Sequence, residues 1–211
     1  MSRKIIVVFG VPFPQFLRLF AALVGFWFAA FPAFSQDSQD YGIHAYEDLE
    51  WLSYYANVGD QNAQVELGVR YYNGKGIVAD KQEAIRWFQK AVDSGNDEAQ
   101  LYLGYMYWTG DGVSKNYFRA ARLFKSAAEK GNAAAMFYLG EMCERGEGVP
   151  ADNLEAFTWY YLAGERAETD QYRSTYEAAV ERLGELLTQQ QQDDAQKMVQ
   201  EFNNYFPVKT N

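Results

Sequence analysis

The sequence predicts an all-α fold, a solenoid of helix–turn–helix repeats, and three observations carry that expectation. A block of 36 residues recurs three times without a gap, starting at Ala63, Ala99 and Ala135. Each block sets small and apolar residues at helical spacing on both sides of a glycine pair. Cys143 is the single cysteine, so no intramolecular disulfide is available and the fold rests on packing.

Self-similarity at a fixed period is the signature of a repeat array. The copies span 63–98, 99–134 and 135–166, with matching columns at Leu67/Leu103/Leu139, Gly68/Gly104/Gly140, Gly74/Gly110/Gly146 and Ala84/Ala120/Ala156. In the first helix, Ala63, Leu67 and Tyr71 predict one buried stripe. Gly68 within that helix costs about 1 kcal/mol against alanine. Its recurrence predicts that a neighbouring helix passes too close for a side chain. Gly74 predicts a left-handed helix end. Asp80, Asn116 and Asp152 are expected to cap the second helices, with Glu83 and Glu155 completing capping boxes. The second-helix stripe is read as Ala84-Trp87-Ala91 and its equivalents, with Trp87, Leu123 and Trp159 as the bulky anchors.

The flanks read as partial repeats. Residues 44–62 form a half-repeat, because Trp51 and Gly59 stand 36 residues before Trp87 and Gly95. His44 is expected to cap or flank its helix, and residues 36–43 to be a flexible remnant. After Gly164 the register breaks. Residues 167–206 then supply capping helices, one over 170–187 and a polar one over 189–203, which opens at a Thr188/Gln191 capping box. The tail 207–211 is expected to fray.

Residues 1–35 read as a signal peptide. Arg3, Lys4 and Arg18 precede a 13-residue uncharged run, Leu19 to Phe31, and Ala33-Phe34-Ser35 offers a cleavage site before Gln36. Thirteen helical residues rise only about 20 Å against a hydrocarbon core of about 30 Å, so cleavage is favoured over a retained anchor and no stable membrane span is expected after it. No cysteine follows the run to take a lipid. The chain is then expected in a bacterial periplasm or secreted.

The leader contains three of the basic residues and no acid; beyond it 16 basic residues face 28 acidic ones, a net charge of −12. A body of that sign repels phosphate backbones and anionic lipid, which argues against nucleic acid as a partner and favours a basic partner, or one not recognised through charge at all.

The repeat columns closely resemble the Sel-one-like repeat (SLR) family, relatives of the tetratricopeptide repeats. The residues that carry the resemblance are Ala99, Leu103-Gly104, Tyr107, Gly110, Gly112-Val113, Asn116, Ala120 and Gly131, with Ala63, Leu67-Gly68, Tyr71, Gly74, Asp80, Ala84 and Trp87 in the preceding copy. Cys143 departs from the tyrosine column and Leu123 from the tryptophan column. The resemblance implies a right-handed α/α superhelix whose inner, concave surface is lined mainly by first helices. It also implies an adaptor or scaffold role in protein–protein interaction.

Tyr102, Tyr105, Met106 and Trp108 fall outside the stripe of the second copy, and Tyr138 occupies the Tyr102 column one repeat later, with Glu66 before them. Aromatic rings supply contact area at little ordering entropy, so these five are the candidate partner-binding residues; the alternative is that they pack between repeats. Arg70, Glu141, Glu144 and Arg145 are candidate rim charges.

No cofactor, metal or catalytic set is expected. One histidine, His44, rules out a His-based triad or multi-His metal site. The loops GKGIVA, GDGVSK and GEGVPA lack the Lys-Ser/Thr of a nucleotide loop and end helices rather than start them. Paired acids such as Glu144 and Glu147 are of the kind that could act as an acid–base pair in a cleft, and acids on exposed helices are the commoner reading. The expected function is therefore a non-enzymatic, exported binding scaffold of the cell envelope. Two alternatives stand: a regulator that inhibits a sensor or cell-wall enzyme by binding, and a hydrolase. Some exported family members carry a penicillin-hydrolysing label, but those have a cysteine pair per repeat, and this chain also lacks Ser-x-x-Lys.

Overall fold

A computed structural model describes residues 40–207, and among them the chain forms nine α-helices and no strand. The leader, residues 36–39 and residues 208–211 lie outside the described residues. The helices are α1 (Asp40–Asn57), α2 (Gln61–Asn73), α3 (Lys81–Asp93), α4 (Asp97–Thr109) and α5 (Tyr117–Ala128), followed by α6 (Ala133–Arg145), α7 (Asn153–Glu165), α8 (Asp170–Gly184) and α9 (Gln189–Tyr205). Helix α1 begins at Asp40, so the last four residues of the expected flexible stretch 36–43 are helical, and His44 lies inside the helix rather than beside it.

Each repeat is one antiparallel pair: α2 with α3, α4 with α5, α6 with α7. The same local chemistry builds all three. Asp60, Asn96 and Asn132 cap the first helices by accepting from the amides of Ala63, Ala99 and Ala135 at 2.8–3.0 Å. Gly110 ends α4 in the left-handed region at φ 78°, where only glycine is unstrained, and Gly74 and Gly146 do likewise. The chain then turns back, and the amides of Asp80, Asn116 and Asp152 donate to the carbonyls of Tyr71, Tyr107 and Cys143 at 2.8–3.0 Å.

That bond corrects one expectation. Asp80 and Asp152 do cap α3 and α7, but their own amides are already taken by the loop. Glu83 pairs with Arg86 and Glu155 accepts the indole N–H of Trp159, so neither closes a capping box. The box at Thr188 and Gln191 does form.

The core is a row of rings seated on glycines. A Cβ on Gly68 would lie 2.6 Å from the Phe88 ring, one on Gly104 2.8 Å from Phe124, and one on Gly140 2.7 Å from Tyr160. The glycines therefore make room for a side chain of the partner helix rather than for its backbone. Phe88, Phe124 and Tyr160 are fully buried and are the anchors of the second helices. Of the residues expected in that role, Trp87 and Trp159 are also buried, at 9% and 8% exposure, while Leu123 is half-buried; the Lys90 ammonium lies 3.6 Å from the Trp87 ring centroid.

The ends close the array differently. Leu49, Leu52 and Ala56 of α1 cover Ala63, Leu67 and Trp87, as a half-repeat should. At the other end α8 packs on α7, and α9 also folds back onto α7, with Phe202 edge-on to Trp159 at 5.4 Å. Arg166, at the end of α7, holds α9 through Asn203 and the carbonyl of Phe206.

Candidate partner-binding surface

Equivalent positions on successive first helices face one space. Tyr102 of α4 stacks on Phe88 with centroids 5.0 Å apart, and Tyr138 of α6 stacks on Phe124 at 5.3 Å. The core rings thus set the orientation of the tyrosines in the next repeat. Tyr105 meets Tyr138 at 5.5 Å. From α8, Tyr176 packs against Phe137 at 5.0 Å, and Tyr172 lies parallel to Tyr176 at 6.4 Å.

These rings line a cavity of about 470 Å³ between α4, α6 and α8, with Tyr72 of α2 at one side. Tyr72, Tyr102, Tyr105 and Tyr138 are half-buried in its walls, Tyr176 is buried at 5% exposure, and Tyr172 is the most open at 56%. Burial raises the phenols of Tyr102 and Tyr138 above their ordinary range and pushes Tyr176 up to about 12. All three are therefore neutral hydroxyls at physiological pH.

Of the residues singled out in sequence, Tyr102, Tyr105, Met106 and Tyr138 line this cavity together. Met106 needs a correction. It is 1% exposed and belongs to the core, where it joins Leu103 and Ala99. The turn of the helix explains it: Met106 is three residues past Leu103 and seven past Ala99, on the same face. Trp108 stands behind the wall, 5.5 Å from Tyr138; its indole N–H donates to Glu147 at 2.5 Å, and the Arg145 guanidinium lies 5.5 Å over its ring.

Sequence reasoning missed Phe137, Tyr172 and Tyr176. The last two sit four apart on α8, which is the readable signal, but the loss of register after Gly164 hid that they face Tyr138.

The candidate rim charges are engaged within the chain. Arg70 pairs with Glu66 and Arg145 with Glu141. Glu144 accepts both guanidinium N–H groups of Arg182, at 2.5 and 2.8 Å, and the Tyr160 hydroxyl at 3.0 Å. Those donors hold its carboxyl below the usual range, with Arg182 first. Glu144 and Glu147 each serve a structural partner and make no acid–base pair. Cys143 is fully buried, and burial pushes its thiol up to about 12, so it is no nucleophile in the native state. No group of acids, cysteines or histidines among the described residues is arranged to hold a metal. No helix among them is long and apolar enough to cross a membrane.

A second recess of about 540 Å³ adjoins the tyrosine cavity and shares Leu101, Ala134, Tyr172 and Tyr176 with it. Asp97, Glu98, Glu168 and Lys130 are its charged lining residues. Burial raises the Glu98 carboxyl above its usual range, and the charges of Asp97, Glu168 and Glu66 add to the rise.

Comparison with known proteins agrees with the architecture. The Sel1 repeat model matches residues 61–96, 97–132 and 133–167. No curated protein matches the chain at a significant level. A Sel1 repeat protein from Oxalobacter formigenes is similar in structure, at 36% identity and a TM-score of 0.55, over 62% of this chain and 98% of that one. A protective antigen of uropathogenic Escherichia coli that displays an SLR fold shares the fold at 24% identity and a TM-score of 0.54. That match covers 77% of this chain and 45% of the antigen. Sel1 repeats generally mediate protein–protein interaction. Three tandem matches, on the three helix pairs that the glycine–ring contacts hold together, make this chain a member of the Sel1 repeat family.

Proposed function

We propose that this chain is an exported adaptor of the cell envelope that binds a protein or peptide partner on the face shared by α4, α6 and α8. The observation that carries the reading is the tyrosine cavity: rings from three helices converge on about 470 Å³ of open space, and Tyr172 stands 56% exposed at its edge. Tyrosine suits such a role because a rigid ring gives large contact area for two torsions, with a hydroxyl to hydrogen-bond. Export rests on the basic start, the uncharged run and the small residues before Gln36. The adaptor binds without chemistry of its own.

Two measurements test this. Mass determination of the protein recovered from its envelope fraction should give a chain starting at Gln36. Cross-linking and co-purification from that fraction should enrich one partner with the native protein and lose it with Tyr172→Ala at an unchanged melting curve. Retention of the partner by the variant puts the interface elsewhere.

A further inference from the structure

We infer that the recess between α4, α6 and α8 takes a lysine or arginine side chain from an extended, basic segment of the partner. Its stem lies on the tyrosine faces and its charge points to Glu98 and Glu168. The inference rests on the reading of this face as the binding surface and adds the chemistry of what binds.

The geometry supplies both halves of such a receptor. The tyrosine cavity offers ring faces, and a cation over a ring face is attracted by the ring's quadrupole. Long basic side chains bury their methylene stems on apolar surface while keeping the charged head in a polar setting. That setting is the adjoining recess, reached across Tyr172 and Tyr176, where Glu98 and Glu168 stand.

Three acids, Asp97, Glu98 and Glu168, line the recess against one base, Lys130. Among the described residues neither Glu98 nor Glu168 forms an ion pair. Lys130 turns its ammonium to the carbonyl of Gly95, at 2.5 Å, and to Gln100, at 3.3 Å, and pairs with neither glutamate. Arg70 pairs with Glu66, and Asp97 accepts from Asn132 at 3.1 Å. Burial first, and then the charges of Asp97, Glu168 and Glu66, raise the Glu98 carboxyl, and an incoming cation relieves the like-charge part. An anionic or purely apolar occupant leaves those carboxylates crowded and, once covered, poorly solvated. The net charge of −12 beyond the leader steers basic segments towards the chain over longer range.

The test is a selection of random dodecapeptides on the purified protein, expressed as the full 211-residue chain. Binding of the leading peptide is then measured to native, Glu98→Lys, Glu168→Lys and Tyr172→Ala proteins with matching melting curves. The expected result is a lysine or arginine at a fixed position and binding that weakens with added salt. Affinity should fall at least tenfold in each variant, and Glu98→Lys should prefer the same peptide with its basic residue changed to Glu. Peptides without a basic position that are still lost in Tyr172→Ala overturn this inference and leave the binding surface standing. Binding indifferent to all three variants overturns both. A concentration-dependent dimer lost in Glu98→Lys, with no peptide enriched, makes a second copy the occupant and overturns the basic-segment inference.

Discussion

The ring of Phe124 occupies the space that a side chain on Gly104 would need: a Cβ built there falls 2.8 Å from the ring edge. The pair recurs as Gly68 with Phe88 and Gly140 with Tyr160, so one contact holds the two helices of every repeat together. Since Tyr102 and Tyr138 stack on Phe88 and Phe124, the same contact also sets the wall of the candidate binding cavity.

Gly104→Ala should therefore destabilise the protein by about 1–3 kcal/mol, the usual range for overpacking a filled core. Gly164, in the last turn of α7, has open space where a Cβ would stand, with no neighbouring atom within 4 Å. Its change to alanine should be neutral or stabilise by up to about 1 kcal/mol. Urea unfolding of the two variants checks the contrast.

Phe124→Ala should cost about 3–5 kcal/mol, as for a large ring removed from a closed core. Leu123→Ala, one residue earlier and half-buried, should cost clearly less. Reversal of that order by chemical denaturation would contradict the assignment of the anchor column.

Asn132→Ala removes the acceptor that binds the amide of Ala135 at 3.0 Å and should lower stability by about 1 kcal/mol. The expected loss is visible as a shift in the urea midpoint at an unchanged slope.

How much of this was legible follows from how local each cause is. The caps, the glycine ends and the repeat period depend on residues within a few positions of one another, and the sequence states them openly. The ring column was missed although Phe88, Phe124 and Tyr160 keep the 36-residue spacing, because the larger Trp87 and Trp159 stand beside it. Deciding between neighbouring aromatics takes the position of the partner helix. Met106 was misplaced by counting strictly in fours along α4, where 3.6 residues make a turn. Tyr172 and Tyr176 joined the site only through the docking of α8, a long-range contact that no spacing encodes.

The Glu144–Arg182 contact carries a pH dependence. Arg182 holds the folded carboxyl below its usual range, so its stabilisation is fully present above the unfolded value and is lost as pH falls through the folded one. Arg182 is half-exposed, which limits the effect to about 0.5–1 kcal/mol. The stability gap between native and Arg182→Met proteins should thus be open at pH 7 and close on acidification below the ordinary carboxyl range.

Cys143 should resist thiol reagents in the native protein, since it is buried and its thiol is pushed up to about 12. Labelling under native conditions should track the rate or population of opening and become immediate in denaturant.

The central claim is that the partner sits on the face of α4, α6 and α8, and site-specific photo-cross-linking tests it most directly. A photoreactive phenylalanine analogue is placed at position 172, in the cavity wall, or at position 86, an exposed site on α3. The expected result is one discrete adduct from position 172 and none from position 86. An adduct from position 86 with none from position 172 would contradict it.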